Sequence, residues 1–532
     1  MQVKEQIVSG QTAIGIEFGS TRIKAVLIGS DFAPLASGIH DWNNQLENGI
    51  WTYSEADIRN GLQACFADLM QQTERQYGVK LEKTGSIGIS AMMHGYLAFD
   101  ENMNLLVPFR TWRNTITKDA AEKLTECFSF NIPQRWSIAH LYQAILNQEP
   151  HVADVRFFTT LAGYVHYLLT GKKVLGIGDA SGMFPIDPET KNYDAVMADQ
   201  FDALTQGTAL QQKLISLLPE IVPAGENAGV LTEAGAKLLD PTGTFAAGVL
   251  FCAPEGDAQT GMTATNSITP RTGNVSAGTS IFAMTVLEHN LKSLHREIDI
   301  VTTPEGAPVA MVHCNNCSSD LDAWVKMFGG LLKAAGSELS KPQLYDLLYS
   351  LAAEGDPDCS GIISYNYYSG EEITHLQAGK PLLMRNPESQ FTVQNLMRSL
   401  VYSCMATLKI GMDILAEESV GLDRIYAHGG LFKTPLITQP TLAAVLGTDV
   451  TLMQSAGEGG AWGIALLAAY LNRSDRSETL RAYLQNRVFA DQHQQTVFPN
   501  PADQEGLAAY MKQYCEGLAA EHAAVAQSNR GE

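Results

Sequence analysis

Residues 13–28 have the sequence AIGIEFGSTRIKAVLI, and this stretch predicts the core of the fold. Apolar residues alternate at Ile14, Ile16 and Phe18, a Gly-Ser-Thr turn follows, and a second apolar run begins at Ile23. Alternation on both sides of a turn of small residues is typical of a β-hairpin. Small turn residues also let backbone amides and hydroxyls approach a ligand closely, so the turn is a natural cradle for phosphate oxygens.

A second stretch in the other half of the chain resembles the first. Residues 273–286 have the sequence GNVSAGTSIFAMTV, with Gly278, Thr279 and Ser280 at the corresponding turn. One such turn is ordinary hairpin chemistry, but two of them, each opening one half of the chain, favour a two-lobed nucleotide-binding protein. The chain has no Walker loop after a strand, and its first strand–turn unit lacks the dinucleotide fingerprint. The sequence therefore predicts hairpin-type phosphate cradles.

A carboxylate precedes the second hairpin. Asp257 follows an apparent strand and stands at the start of a predicted short helix, between Gly256 and Gly261. As a helix cap, it would accept a hydrogen bond from the amide of Gln259 or Thr260. As a general base, it would take the proton from a substrate hydroxyl that attacks phosphorus, close to helix amides that favour negative charge. The flanking glycines and the nearby phosphate-type turn favour the general base.

Composition excludes several classes of protein. With 532 residues, 45% of them hydrophobic, the chain is long enough for two large domains with substantial cores. Its net charge of −21 disfavours binding to nucleic acid or to anionic membranes. The first eleven residues are polar, and no apolar run approaches the ~20 residues that span a bilayer. We expect a cytoplasmic protein with no nucleic-acid partner and no membrane partner.

In their order along the chain, these elements resemble the FGGY carbohydrate kinases of the actin-like ATPase superfamily. The resemblance covers nearly the whole chain. The motifs that carry it are the first hairpin, Met93-His94-Gly95, Thr111-Trp112-Arg113-Asn114, Asp179-Ala-Ser-Gly182, Gly256-Asp257, Gly278-Thr279-Ser280, His428-Gly429-Gly430 and residues 457–465.

The resemblance implies an α/β fold of two actin-like, ribonuclease H-like lobes around a central cleft. Residues 1–264 would form the sugar-binding lobe and residues 265–532 the ATP-binding lobe. The implied reaction is transfer of the ATP γ-phosphoryl group to a hydroxyl of a ketose such as xylulose, with Mg²⁺ required. The partner would be a small sugar or polyol, and family analogy suggests a homodimer.

The resemblance also assigns roles to individual residues. Asp257 would be the general base and would contact the sugar, and Glu17, where the family usually has Asp, would act in catalysis and in holding Mg²⁺. The residues implied at the nucleotide are Gly19, Ser20, Thr21, Lys24, Gly278, Thr279, Ser280, Gly429, Gly430 and Thr434. The residues implied at the sugar are Met93, His94, Trp112 and Asn114.

Two departures from the family pattern leave alternatives open. Glu17 is longer than the usual Asp, so we expect metal binding with a different geometry. Ala258 stands where many members place Asn or Gln, so we expect the sugar to be held differently from a standard xylulokinase. The alternatives are a ribulose-, erythritol- or gluconate-type kinase, an actin-like ATPase acting on a protein partner, or a sugar sensor with weak activity. The single Cys-x-x-Cys pair, Cys314 and Cys317, predicts buried thiols rather than a zinc site, which would need a second pair.

Overall fold

A computed structural model describes residues 2–452, 459–490 and 495–528. The chain divides into two compact units. Unit one contains Met1–Ile268, Asp299–Val309 and Gly457–Gln492, and unit two contains Thr269–Ile298, Ala310–Ala456 and His493–Glu532. The predicted domain limit at residues 264 and 265 stays a prediction; the division by contacts falls at Ile268 and adds two later segments to the first unit.

Up to residue 268 the structure alternates strands and helices. The strands are β1 (Ala13–Phe18), β2 (Arg22–Ile28), β3 (Pro34–Asp41), β4 (Gln45–Glu47), β5 (Ile50–Thr52), β6 (Ser86–Ala91), β7 (Leu97–Phe99), β8 (Phe157–Thr159), β9 (Val174–Gly176), β10 (Ile186–Asp187), β11 (Asn192–Tyr193), β12 (Glu220–Val222), β13 (Gly229–Val230), β14 (Leu250–Phe251) and β15 (Glu255–Gly256). The helices are α1 (Val3–Ser9), α2 (Glu55–Tyr77), α3 (Lys118–Phe128), α4 (Ser137–Leu146), α5 (Leu161–Thr170), α6 (Ile177–Ala180), α7 (Ala195–Leu204), α8 (Leu214–Leu217), α9 (Glu233–Leu239) and α10 (Asp257–Ala264).

The rest of the chain continues the alternation. The strands are β16 (Thr272–Ala277), β17 (Ile281–Val286), β18 (Ile298–Thr302), β19 (Pro308–Cys314), β20 (Ile362–Tyr365), β21 (Leu382–Arg385), β22 (Arg424–His428), β23 (Asp449–Leu452) and β24 (Gln495–Val497). The helices are α11 (Ser319–Ala334), α12 (Lys341–Ala353), α13 (Val393–Glu417), α14 (Pro435–Leu446), α15 (Gly459–Leu471), α16 (Leu480–Tyr483) and α17 (Pro501–Ser528).

The first predicted hairpin is confirmed and lies in the central sheet of unit one. β1 pairs antiparallel with β2 and parallel with β6, and the strand order is β13-β14-β6-β1-β2-β3, with β15 also paired to β6. Its apolar residues Ile14, Ile16 and Phe18 are fully buried. The carboxyl ends of β1, β6 and β15 therefore meet at one edge of the sheet, and this edge carries the candidate site.

A helix from the far end of the sequence completes unit one. α15 packs on β1 so closely that a Cβ atom at Gly15 would lie 2.0 Å from the carbonyl oxygen of Ala461. On its other side, a Cβ atom at Gly463 would lie 2.0 Å from the carbonyl oxygen of Thr260 in α10. Only glycine permits these backbone approaches, so the two glycines set the position of α15 against β1 and against α10, the helix that begins with Asp257.

The second predicted hairpin is confirmed in the sheet whose strand order is β18-β19-β17-β16-β22-β23-β24. β16 pairs antiparallel with β17 and parallel with β22, so both hairpins have the same arrangement with a third strand. The side chains at every fourth position along α13 are buried, so α13 is a core helix; they are Leu396, Leu400, Cys404, Leu408 and Met412. Among the described residues, α13 alone is long and apolar enough to cross a bilayer, and most of that stretch is buried inside the protein, as is usual for a core helix.

Candidate active site

Two aromatic residues donate hydrogen bonds to the carbonyl groups of the turn between β1 and β2. The indole Nε1 of Trp42 donates to the carbonyl oxygen of Gly19 at 2.8 Å, and the Trp42 amide donates to that of Thr21 at 3.1 Å. The hydroxyl of Tyr53 donates to the carbonyl oxygen of Ser20 at 2.6 Å. The rings of Trp42 and Tyr53 stack with their centroids 4.1 Å apart, so the two anchors support each other.

The amide side of the same turn is open. The Gly19 amide closes the turn by donating to the carbonyl oxygen of Arg22 at 2.9 Å. Within the described ranges, the amides and hydroxyls of Ser20 and Thr21 have no hydrogen-bond partner in the protein. Unpaired amides in a tight turn form a concavity that suits an anion. The predicted phosphate contact of these residues stays a prediction, and the geometry is compatible with it.

Asp257 is the first residue of α10 and does not cap the helix. Gly256 occupies the cap position, and the Asp257 carboxylate accepts hydrogen bonds from the amide of Met93 at 3.2 Å and from that of Ala258 at 2.9 Å. The side chain is reached by solvent, yet surrounding protein atoms remove part of its hydration, which raises the pKa of the carboxyl group to about 6. An accessible carboxylate with a pKa near neutrality suits a general base.

Glu17 lies on β1, two residues before the first turn. Its carboxylate accepts a hydrogen bond from the amide of Ala461 in the first turn of α15 at 3.0 Å. Crowding by protein atoms and the negative charge of Asp257 raise the pKa of Glu17 to about 7, although the Ala461 amide and the charge of Lys24 oppose the rise. Lys24 is its cross-strand partner on β2, so the predicted basic residue lies beside the predicted metal-binding carboxylate.

Asp179 and Glu255 are buried carboxyl groups in the same unit as Asp257, and the sequence did not predict the contact between them. The Asp179 amide donates to Glu255 at 2.8 Å, and the hydroxyl of Thr160 donates to the Asp179 carboxylate at 2.6 Å. Burial raises the pKa of Asp179 to about 7 and that of Glu255 to about 8, and each shift also includes repulsion from a neighbouring carboxylate. Asp179 belongs to a recognised motif, but no pattern in the sequence paired it with Glu255.

Met93 and His94 follow the end of β6 after Met92, and both are buried. The Met93 amide binds the Asp257 carboxylate, while His94 has a φ of 67° and its Nδ1 lies 3.0 Å from the carbonyl oxygen of Gly182. The ring stacks on Trp136 with the centroids 6.2 Å apart. Burial lowers the pKa of His94 to about 3, so the imidazole is neutral at physiological pH. A neutral ring does not supply a proton at this pH; sugar contact by Met93 and His94 stays a prediction.

The remaining two residues predicted at the sugar differ from each other in exposure. Trp112 is 39% exposed, whereas Asn114 is buried. The Asn114 side-chain amide donates to the carbonyl oxygens of Trp51 and Thr111, and its Oδ1 accepts from the Trp51 amide at 2.8 Å. Sugar contact by Asn114 stays a prediction; in the structure its polar atoms hold β5 against the loop that carries Trp112.

The turn between β16 and β17, in unit two, is also tied back through its carbonyl groups. The amides of Ser318 and Cys317 donate to the carbonyl oxygens of Gly278 and Thr279 at 3.2 Å and 2.9 Å. The Gly278 amide donates to the carbonyl oxygen of Ser280 at 2.8 Å. In the part of the chain that the structure describes, the amides of Thr279 and Ser280 have no partner, as in the first turn.

The residues predicted near adenosine lie at the end of β22. Gly429 has a φ of 109°, and a Cβ atom there would lie 2.3 Å from the carbonyl oxygen of Ala277, so this strand end lies against the base of the second turn. Gly430 begins a short 3-10 helix, and Thr434 precedes α14. Gly429 and Gly430 are exposed. The motif residues 457 and 458 lie outside the described residues.

The predicted thiols are buried. Cys314 and Cys317 are fully buried, and burial raises the pKa of Cys314. Across residues 2–452, 459–490 and 495–528, no group of three or more His, Cys, Asp or Glu side chains is arranged to hold a metal ion.

The fold and these turns together define a class of protein. Two units with the same hairpin-plus-parallel-strand sheet, each with open amides at its hairpin turn, are typical of phosphotransferases with actin-like, ribonuclease H-like domains. A model of the N-terminal domain of the FGGY family of carbohydrate kinases matches residues 12–262, and one of the C-terminal domain matches residues 273–471. The chain belongs to the FGGY family of carbohydrate kinases and is a phosphotransferase acting on a sugar hydroxyl.

Individual relatives agree with this assignment. The chain is 24% identical to a xylulose kinase from Haemophilus influenzae over 404 residues, which cover 74% of this chain and 77% of the relative. Among solved structures it resembles a xylulose kinase and a gluconate kinase from Lactobacillus acidophilus, each at 17% identity and a TM-score of 0.78. These two alignments cover 96% and 97% of this chain and 99% of each of those structures. The structural likeness supports the predicted fold class.

Proposed function

We propose that the protein transfers the γ-phosphoryl group of ATP to a hydroxyl of a ketose such as xylulose, with Asp257 as the general base. The single observation that carries the proposal is the position of Asp257. It is a solvent-accessible carboxylate at the start of α10, held by the amides of Met93 and Ala258 beside the edge of the sheet that carries the first turn. Kinase activity on a sugar follows from the family; the choice of xylulose rests on similarity to the Haemophilus influenzae enzyme.

In the proposed mechanism, the chain positions the acceptor and removes one proton. The Asp257 carboxylate accepts the proton of the attacking hydroxyl, and the two amides that bind Asp257 fix its orientation without neutralising it. The neutral ring of His94 orients another hydroxyl or a carbonyl of the sugar. The open amides of Ser20 and Thr21 stabilise the charge on the phosphoryl oxygens during transfer.

The residues present fit the Mg²⁺ ion that the family implies. Mg²⁺ keeps several water ligands and needs only one or two carboxylates besides phosphate oxygens. One oxygen of Glu17 binds the Ala461 amide, and the other lies where a Cβ atom at Gly460 would come within 2.4 Å, so the absence of a side chain at Gly460 leaves room there. When bound, Mg²⁺ would neutralise phosphate charge, and Glu17 would hold it directly or through water.

The proposed nucleotide contacts lie in unit two. Thr279 and Ser280 would bind phosphate oxygens through their amides and hydroxyls, with Gly278 allowing the close approach. Gly429, Gly430 and Thr434 would pack against adenosine. These roles rest on the family resemblance and on the exposure of the two glycines at the end of β22. The predicted homodimer and the predicted cytoplasmic location stay predictions.

The test is a screen for ADP release with MgATP and a panel of pentuloses, hexuloses, tetritols and aldonates, repeated with Asp257→Asn. We expect xylulose or a related ketose to give the highest kcat/KM, and Asp257→Asn to lower kcat at least about 100-fold with nucleotide affinity nearly unchanged. Asp194→Asn, which keeps the cap of α7, is the matched control and should retain turnover. More than a tenth of parental turnover in Asp257→Asn would refute its role as the base.

The same screen tests the alternative substrates. Preference for ribulose, erythritol or gluconate would keep the kinase mechanism and replace the proposed acceptor. Gluconate belongs in the panel because a gluconate kinase and a xylulose kinase from Lactobacillus acidophilus match this fold with the same TM-score of 0.78. ADP release that no polyhydroxylated compound stimulates would refute the proposed function.

A further inference from the structure

Arg113 lies beside the candidate site, and the mechanism above does not use it. The side chain is exposed, and its guanidinium carbon lies over the Trp51 ring, 3.9 Å from the ring centroid, which is a close cation–π contact. Arg113 follows Trp112, one of the residues proposed at the sugar. Its positive charge therefore lies next in the chain to a residue proposed to bind the sugar.

The platform under Arg113 is rigidly built. Trp51 lies on β5, and its amide donates to Asn114 while its carbonyl oxygen accepts from the Asn114 side chain and from the Thr111 amide. Three hydrogen bonds thus join Trp51 to the loop that carries Arg113. A guanidinium group stacked on a fixed ring loses little further conformational freedom on binding a ligand.

Arg113 is linked to the first turn through the chain segment that carries Trp51 and Tyr53. Two residues after Trp51, Tyr53 donates its hydroxyl to the carbonyl oxygen of Ser20. Burial raises the pKa of Tyr53, and the side chain of Asn44 and the positive charge of Arg113 partly oppose that rise. Arg113 is therefore connected to the proposed phosphate cradle through Trp51 and Tyr53, and it follows the proposed sugar residue Trp112 in the chain.

Within the described ranges, Arg113 differs from the other basic residues near the first turn because it has no carboxylate partner. Arg22, which follows the turn, pairs with Asp41 at 2.7 Å. Lys24 lies opposite Glu17 on the neighbouring strand. Over the described ranges, no carboxylate lies within ion-pair distance of Arg113. Its positive charge is thus available to a ligand in a site whose other charged groups are mainly acidic.

We propose that Arg113 binds an oxyanion on the sugar side of the first turn. The proposal rests on the proposed function. The shared chemistry is a planar guanidinium fork that binds two oxygens of one anionic group. The oxyanion comes from one of two sources: the phosphoryl group as it reaches the acceptor, or the carboxylate of a sugar-acid substrate.

The experiment compares Arg113→Gln, Arg113→Lys and a matched control, Arg385→Gln. The Arg385 guanidinium also lies over an aromatic ring, that of Phe391, with its carbon 4.9 Å from the centroid. Arg385 lies in unit two on β21, which belongs to neither sheet that carries a hairpin turn. Inorganic phosphate and gluconate are titrated against each protein and followed by tryptophan fluorescence. We expect Arg113→Gln to weaken binding of at least one anion about 10- to 100-fold, Arg113→Lys to weaken it less, and Arg385→Gln to leave it unchanged.

Turnover then identifies the source of the oxyanion. Loss of kcat/KM on neutral ketoses and aldonates alike assigns Arg113 to the phosphoryl group, whereas loss on aldonates alone assigns it to the substrate carboxylate. Anion binding and kcat/KM that both remain within twofold of the parent in Arg113→Gln would overturn the proposal. The anion titrations do not require turnover, so failure of the proposed function in the sugar screen is recognised separately.

Discussion

The two hairpin turns have nearly the same composition, but the protein anchors them differently. In the first, the carbonyl groups of Gly19–Thr21 are held by the side chains of Trp42 and Tyr53, with one bond from a Trp42 amide. In the second, the carbonyl groups of Gly278 and Thr279 are held by backbone amides at the start of α11. Both arrangements leave amides open on the other side of the turn, so the same binding surface is supported by two kinds of anchor.

The strand register differs between the hairpins as well. The last pair of the first hairpin is Phe18 with Ile23, and Gly19 closes on Arg22, which leaves two residues at the tip. The last pair of the second is Ala277 with Ile281, and Gly278 closes on Ser280, which leaves Thr279 alone at the tip. Glu17 consequently faces Lys24, whereas the corresponding Ser276 faces Phe282. The first hairpin therefore has a carboxylate and an ammonium group next to its turn, whereas the second has mainly amides and hydroxyls there.

The largest expected effect is on the backbone support of the second turn. Gly429→Ala would place a Cβ atom 2.3 Å from the carbonyl oxygen of Ala277 at a φ of 109°, which only glycine adopts readily. We expect a lower thermal midpoint and loss of nucleotide binding by at least about 100-fold. Gly278→Ala, where no atom lies within 4 Å of the new Cβ, is the control for stability and should unfold close to the parent. Equal midpoints for both variants would contradict this account.

The next effect separates the charged hairpin from the uncharged one. Glu17→Gln removes the carboxylate beside the first turn, and we expect kcat/KM to fall about 100-fold because the carboxylate that would hold Mg²⁺ is lost. Ser276→Ala at the matching position should stay within about threefold. Glu17→Asp keeps the charge but is too short to reach the Ala461 amide, so it should retain more activity than Glu17→Gln while unfolding at lower temperature. Comparable kcat/KM for Glu17→Gln and Ser276→Ala would remove the distinction between the hairpins.

The acid limb of the pH profile should come from the first unit. Because the pKa of Asp257 is raised to about 6, the base is protonated below that pH, and kcat/KM at saturating MgATP should fall about tenfold per pH unit there. Next to the second turn, burial lowers the pKa of His428 to about 4, so that ring stays neutral over the same range. Steady-state kinetics between pH 5 and 8 check the prediction; a profile that is flat down to pH 5 would contradict it.

The smallest expected effects come from the anchors themselves. Tyr53→Phe removes the hydroxyl bound to Ser20, and a hydrogen bond of this kind is worth about 1 kcal/mol, so we expect a three- to tenfold rise in the KM for ATP. Asn366→Ala removes a donor to the carbonyl oxygen of Cys317, one step further from the second turn, and should change the KM less. Steady-state titration of ATP measures both. A larger effect at Asn366 would mean that the side-chain anchor matters less than the backbone support.

Much of the site follows from local sequence patterns. Alternating apolar residues around Gly-Ser-Thr and Gly-Thr-Ser predict both hairpins, and the glycines around Asp257 predict its place at the start of a helix. Such features extend over only a few residues, and side-chain alternation along a strand and turn chemistry are local properties of the chain.

Tertiary structure alone decided what surrounds these local elements. The contact of Glu17 with the Ala461 amide joins residues 444 positions apart, and α15 joins unit one although it follows most of unit two in the sequence. Trp42 and Tyr53 reach the first turn only because β3 and β5 bring the chain back to it, and the difference in register appears only once the strands pair. Hydrophobic periodicity determines which residues of a segment are buried, but it carries no information about which distant segment covers them; close backbone packing, as at Gly15 and Gly463, makes that choice.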